Sequence, residues 1–291
     1  VLLLAACKDP IDSADLKKKY PDRHFSQAHL PLGRVHFQDI GTGPAVILIH
    51  GESGPMAAWD RNVQALVDAG FRVVRFDLFG RGFSERFQNS YYDLAAYERQ
   101  LGELIKELGL GPKIRLVGSS YGCMVATRYA LNHVEDIENL ILIGPAGFPL
   151  KMPWSAKLVK LPILKNWNWL KHKAAVQQNE QYFTDGNIPE ELRAYVEDHL
   201  LVPLTMDAIL TTMANAPVQD YLDVYTKLGK TPVPTGVIWG KQDDTVPYTN
   251  ATSLTAVLPG AKLVTIEGAG HLPEYEKAEE VNKALLEFFA P

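Results

Sequence analysis

Gly118-Ser119-Ser120-Tyr121-Gly122 is the stretch of this chain best suited to chemistry. A serine hydroxyl is a weak nucleophile unless it is exposed, strained and held beside a base. Ser120 follows the apolar run Ile114-Arg115-Leu116-Val117 and precedes a segment of helical pattern, Cys123–His133. A tight strand-to-helix turn at that place lifts the hydroxyl to the top of a sheet. Gly118 and Gly122 leave the room that such a turn needs, and the helix N-terminus favours negative charge developing beside it. The chemistry implied is attack on a carbonyl carbon. The pentad alone would also suit a plain Gly/Ser turn; its setting between strand and helix is what makes it a nucleophile.

A serine nucleophile needs a base, and the base needs an acid behind it. Of eight histidines, only His271, in Gly268-Ala269-Gly270-His271-Leu272-Pro273, follows the last strand-like run, Lys262–Ile266. A loop there carries the imidazole over the carboxyl ends of the strands, where ligands bind in open α/β sheets. His271 would take the Ser120 proton and return it to the leaving group. The other seven histidines read as surface or structural residues, including His50, which opens a turn. Two acids compete for the supporting role, Asp243 and Asp244, in Trp239-Gly240-Lys241-Gln242-Asp243-Asp244-Thr245-Val246-Pro247. Attack also places negative charge on the carbonyl oxygen, and losing one of the N–H groups that meet it costs about 3 kcal/mol. The amide of Tyr121 should supply one donor, and the turn His50-Gly51-Glu52-Ser53-Gly54-Pro55 the other.

These residues have to be positioned by strands and helices, and the hydropathy pattern supplies them. Arg34–Ile40 alternates polar and apolar, and Ala45-Val46-Ile47-Leu48-Ile49 is continuously apolar, as in a strand buried on both faces. Strand patterns recur at Phe71–Asp77, Ile114–Val117, Leu140–Ile143, Gly236–Trp239 and Lys262–Ile266, with helical spacing at Asn62–Ala69, Leu94–Leu108, Cys123–His133 and Val281–Phe289. The alternation predicts a mostly parallel sheet with helices on both faces. It breaks between Pro145 and Pro232, a stretch of helical composition without a buried strand. The domain expectation is therefore a core over 28–144 and 233–291, with a helical cap over 145–232.

At this point the chain resembles the α/β-hydrolase family, over roughly Leu32 to the C-terminus. The resemblance rests on His50-Gly51, the pentad at Gly118–Gly122, Asp77-Leu78-Phe79-Gly80-Arg81-Gly82-Phe83-Ser84 and the Asp/His pair, in that family's order. It implies a triad of serine, acid and histidine. The family spacing of Gly, two residues, Asp, three residues, Pro selects Asp243, with Asp244 as its rival in the same loop. It also points to the amide of Glu52 as the second oxyanion donor, with Ser53 as the alternative. The Glu52 carboxylate is expected to turn away into a polar contact. The triad expected is thus Ser120, Asp243 and His271.

The resemblance leaves two enzymic readings. The first is hydrolysis of a carboxylic ester through an acyl-enzyme on Ser120. The second is carbon–carbon hydrolysis of a diketone, although relatives of that kind usually carry Asn before the nucleophile and Trp after the histidine, where this chain has Ser119 and Leu272. Epoxide hydrolases and haloalkane dehalogenases are similar around His50-Gly51-Glu52, but their nucleophile is Asp. A binding protein on an inactive hydrolase scaffold is a third reading, disfavoured by the intact residue set.

Composition bounds the rest. A length of 291 residues fits one domain with an inserted subdomain, and a net charge of −5 disfavours nucleic acid as a partner. The partner expected is a small-molecule ester. Cys7 and Cys123 offer neither a disulfide framework nor metal-ligand spacing, so no metal or cofactor is expected. Cys123 reads as a buried thiol. Val1-Leu2-Leu3-Leu4-Ala5-Ala6-Cys7 resembles the end of a bacterial lipoprotein signal peptide. That makes Cys7 a lipidation candidate, residues 1–27 a signal remnant and polar tether, and the cell envelope the expected location. A cytoplasmic enzyme with an apolar terminus is the alternative. Trp154, Trp167 and Trp169 alternate with Lys151, Lys157, Lys160, Lys165, Lys171 and Lys173 in the insert. They suit either a lid on a lipid headgroup layer or, as the favoured reading, the cap's own core with a solvated lysine face.

Overall fold

The computed structural model describes residues 10–23, 25–88, 92–148, 168–216 and 220–290. Its strands are β1 (Ser26–Leu30), β2 (Gly33–Ile40), β3 (Ala45–Ile49), β4 (Arg72–Phe76), β5 (Ile114–Ser119), β6 (Ile137–Ile143), β7 (Thr235–Gly240) and β8 (Lys262–Ile266). Its α-helices are α1 (Ser13–Lys19), α2 (Val63–Asp68), α3 (Leu94–Glu107), α4 (Tyr121–Asn132), α5 (Asn168–Glu180), α6 (Glu190–Leu201), α7 (Thr205–Asn215), α8 (Leu222–Leu228), α9 (Asn250–Val257), α10 (Pro273–Glu276) and α11 (Ala278–Phe289). The strands form one sheet in the order β1-β2-β4-β3-β5-β6-β7-β8. β2 pairs antiparallel with both β1 and β4, and every pairing from β4 to β8 is parallel. The mostly parallel sheet with flanking helices expected from the sequence is the fold found; α1, β1, α9 and α10 are elements that the hydropathy pattern did not give.

Strand residues alternate between two cores because successive side chains leave a strand on opposite faces. Ile47, Ile49, Val74, Phe76, Leu116, Leu140 and Leu142 meet α3 and α4 on one face. Val46, Leu48, Val73, Val117, Ile141, Ile143 and Ile238 meet α2 and α11 on the other. Central strands enclosed in this way read as unbroken apolar runs, which is the pattern of β3.

α5 to α8 lie between β6 and β7, where the strand–helix rhythm stops. Leu192, Tyr195, Val196, Leu200 and Ile209 share an apolar cluster with Leu16, Ala57, Phe83 and Tyr275 from outside the insert. Of the residues singled out in the insert, Trp154, Trp167, Lys151, Lys157, Lys160 and Lys165 lie outside the described residues, as does Cys7; Trp169 and Lys171 fall in α5 without a described side chain, and Lys173 is exposed.

The reading of residues up to 27 as a polar tether is corrected for its described part. Asp12 caps α1 by accepting from the Asp15 N–H at 2.7 Å, and Leu16 is fully buried in the apolar cluster of the insert. Lys19 pairs with Asp198, the Tyr20 hydroxyl donates to Asp198 at 2.6 Å, and Arg23 pairs with Asp60. A single leucine among charged residues gives no periodic signal, yet its burial stabilises by about 2 kcal/mol. β1 was missed as well, because Ser26-Gln27-Ala28-His29-Leu30 is an edge strand with only Ala28 and Leu30 buried.

Gly122, in the first turn of α4, lies against the end of β3. A Cβ there would lie 2.3 Å from the Ile49 carbonyl oxygen and 2.7 Å from that of His50. Both are backbone atoms and cannot rotate away. Gly122→Ala is expected to lower the unfolding free energy by about 3 kcal/mol, read by urea denaturation.

Candidate active site

β5 ends at Ser119, and α4 starts at Tyr121, so Ser120 alone makes the turn between them. Its backbone sits at φ 51° and ψ −116°, a region that costs a non-glycine residue about 1–3 kcal/mol. Neighbouring hydrogen bonds hold it there. The Ser120 N–H donates to Ile143 O at 2.8 Å, and Ser120 O accepts from Ala146 N at 3.2 Å and Cys123 N at 3.1 Å.

The structure brings Ser120, His271 and Asp243 together. Ser120 Oγ lies 2.9 Å from His271 Nε2, and His271 Nδ1 lies 2.8 Å from Asp243 Oδ2. With Nδ1–H donating to the carboxylate, Nε2 is left to accept the serine proton. Asp243 is buried, whereas Asp244 is exposed. Asp243 Oδ1 accepts from Thr245 N at 3.0 Å and Val246 N at 2.8 Å, and Oδ2 also accepts from Trp239 Nε1 at 3.2 Å. Burial works against an imidazolium at His271. The charge and hydrogen bond of Asp243, with the charge of Glu274 added, outweigh it and raise the His271 pKa.

The His271 loop is anchored to the insert. His271 N donates to Tyr182 O at 2.8 Å, and the Tyr182 ring lies 5.0 Å from the imidazole. Glu276 accepts from Gly270 N and Thr184 N, both at 2.7 Å.

The candidate oxyanion turn runs beside the nucleophile: a Cβ at Gly51 would stand 3.4 Å from Ser120 Cβ. Tyr121 opens α4, so its N–H belongs to the first turn, which has no intrahelical acceptor. The Glu52 side chain turns to Arg81, which pairs with it at 3.2 Å. Burial still pushes the Glu52 carboxyl up to about 7. Arg81 Nε also donates to Glu52 O at 2.8 Å. Its remaining donors reach Phe79 O, Tyr97 OH and Thr212 Oγ1. This fully buried guanidinium ties the oxyanion turn to α3 and α7. Sequence reasoning missed that role, although Arg81 stands inside a motif it had singled out.

His50 is buried. Its Nδ1 donates to Gly51 O at 2.6 Å and its Nε2 accepts from Leu78 N at 2.9 Å. Burial lowers its pKa to about 4, which suits a neutral structural residue. Cys123 is a buried free thiol facing Gly118 O at 3.1 Å, and burial raises its pKa well above the usual thiol range. Glu274 and Ser119 were missed as site residues: Ser119 Oγ donates to Glu274 Oε1 at 2.5 Å. Among the described residues no group of His, Cys, Asp and Glu could hold a metal ion.

A half-buried serine at a strand-to-helix turn, an imidazole within reach of its hydroxyl and a buried carboxylate behind the imidazole form one connected group. Residues 46–284 match the alpha/beta hydrolase family model, and the chain belongs to that family. It is 29% identical over 264 residues to a 2-hydroxy-6-oxo-6-phenylhexa-2,4-dienoate hydrolase of Comamonas testosteroni, covering 87% of this chain and 90% of the relative. It is 32% identical over 271 residues to a 2-hydroxy-6-oxononadienedioate/2-hydroxy-6-oxononatrienedioate hydrolase of Burkholderia vietnamiensis, covering 88% and 90%. Among solved structures, a bromoperoxidase from Bacillus anthracis matches with a TM-score of 0.78 at 25% identity, covering 91% of this chain and 99% of that one.

Proposed function

We propose that this chain is a serine-nucleophile hydrolase of small carbonyl compounds, with Ser120 as nucleophile, His271 as base and Asp243 as its orienting acid. The observation that carries this reading is the continuous relay from Ser120 Oγ to His271 at 2.9 Å and on to Asp243 at 2.8 Å. Backbone N–H groups of Tyr121 and of Glu52 would receive the oxyanion, and α5 to α8 would cap the pocket.

The substrate class supported by the curated relatives is a dienoate carrying a 6-oxo group, cut at a carbon–carbon bond. A carbanion is a poor leaving group, so that cleavage needs the departing electrons delocalised into the dienoate. Hydrolysis of a carboxylic ester is the second reading. Ser119 favours it, because this side chain, at the position before the nucleophile, is committed to Glu274 instead of facing substrate. Leu272, the residue after His271, favours it too. Rates on a 2-hydroxy-6-oxo-dienoate and on p-nitrophenyl esters of rising chain length decide between them. A kcat/KM at least about 100-fold higher on the dienoate selects carbon–carbon cleavage, and the reverse selects the ester. No helix among the described residues is long and apolar enough to cross a membrane; a lipid on Cys7 is a separate proposal, tested by the mass of the N-terminal peptide.

A further inference from the structure

Glu274 stands three residues after His271 on the short helix α10, fully buried. Its Oε1 accepts from Ser119 Oγ at 2.5 Å, while Oε2 is buried without a hydrogen-bond partner among the described residues. A buried acid with one oxygen unsatisfied is costly. Ser119 needs only an acceptor, and a glutamine would provide one without burying a charge. An acid at this position therefore calls for a reason beyond packing. The ionisable groups facing it are His271 on its own loop, Asp243 after β7, and the Cys123 thiol at the start of α4. The turn Met56–Trp59, packed against α10, brings none. The one group of this set that becomes positive during turnover is His271.

We propose that Glu274 is a positioning residue for the reaction: its ionised carboxylate, favoured by the hydrogen bond from Ser119 Oγ, joins Asp243 in stabilising the imidazolium of His271. This rests on the assignment of Ser120 and His271 above. The transfer is complete within the site: the proton leaves Ser120 Oγ for His271 Nε2, and Glu274 exchanges no proton with either. Burial raises the Glu274 pKa to about 7, against the opposing pull of Ser119, so its charge develops within the working range of an imidazole.

The sign follows from the charges. Productive attack needs neutral His271, so the acid limb of kcat/KM marks its pKa. Both carboxylates raise that pKa. Glu274→Gln keeps the bond to Ser119 and removes the charge; it is expected to move the acid limb to lower pH by about 0.5 to 1 unit and to lower the plateau about 5- to 10-fold, with KM unchanged. Ser119→Ala takes away the hydrogen bond that favours the ionised acid. Its activity should fall several-fold near neutrality and recover towards that of the parent above pH 8, which Glu274→Gln cannot do. Superimposable profiles for Glu274→Gln and the parent, or no recovery in Ser119→Ala, overturn the proposal. Thermal melts check folding, and the Gln variant, relieved of a buried charge, should melt no lower than the parent at pH 8. A Ser120→Ala variant with full turnover would instead remove the nucleophile assignment, whatever the Glu274 profile shows.

Discussion

Ser120→Ala is expected to lower turnover of whichever substrate proves best by at least about 10⁴-fold while leaving the fold intact. The hydroxyl is the atom that attacks, and no neighbouring group can replace it: Ser119 Oγ is engaged by Glu274 and the Cys123 thiol is buried beneath the elbow. Alanine accepts the same backbone turn, because the bonds to Ile143 and Ala146 are made by main-chain atoms. Circular dichroism and the melting temperature should therefore change little. Labelling by a fluorophosphonate should disappear together with turnover. Adding His271→Ala to Ser120→Ala should cost almost nothing more, since the two act as one unit. A double variant far weaker than the single one would mean that the two residues serve different steps. Residual labelling of Ser120→Ala would locate the nucleophile elsewhere.

Asp243→Asn is the second large effect, at about 10⁴-fold in kcat. The carboxylate accepts from Thr245 N, Val246 N, Trp239 Nε1 and His271 Nδ1. An asparagine has one accepting oxygen. If it faces the two backbone N–H groups, its NH₂ meets both the indole and His271. The imidazole must then switch tautomer and present Nε2–H to the serine, which it can no longer deprotonate. The opposite rotamer turns the NH₂ against two backbone donors, so a stability loss of about 2 kcal/mol should accompany the kinetic one. Asp244 is exposed one residue away, and Asp244→Asn should change kcat less than about twofold. Equal losses in the two variants would show that the acid is misassigned. Steady-state kinetics with parallel urea melts measure both parts.

Much of the fold is visible in local pattern. The β-branched apolar run Ala45–Ile49, ahead of a turn, suits a strand enclosed on both faces, and β3 is such a strand. The pentad at Gly118–Gly122 carries its geometry in its composition, because the turn requires small residues where the Gly122 position meets β3 backbone. What local pattern did not reveal was contact made by isolated residues. Leu16 gives no periodicity among its charged neighbours, yet it packs into the cluster of α6 and α7. Glu274 looks like one more acid in Pro273-Glu274-Tyr275-Glu276, and only the tertiary structure makes it the partner of Ser119.

By itself the sequence determined the buried strands of the sheet, most of the helices that flank them, the pentad that bears Ser120 and the loop that bears His271, since each of these depends on residue types only a few positions apart. The tertiary structure decided which aspartate meets the imidazole, that Arg81 and Glu274 are buried beside the site, and that Leu16, Lys19, Tyr20 and Arg23 pack against the rest of the chain. The reason is distance along the chain: His271 is 151 residues from Ser120 and Glu274 is 155 from Ser119. Pairings of that range are set by how helices close over the sheet, which leaves no signature in either segment alone.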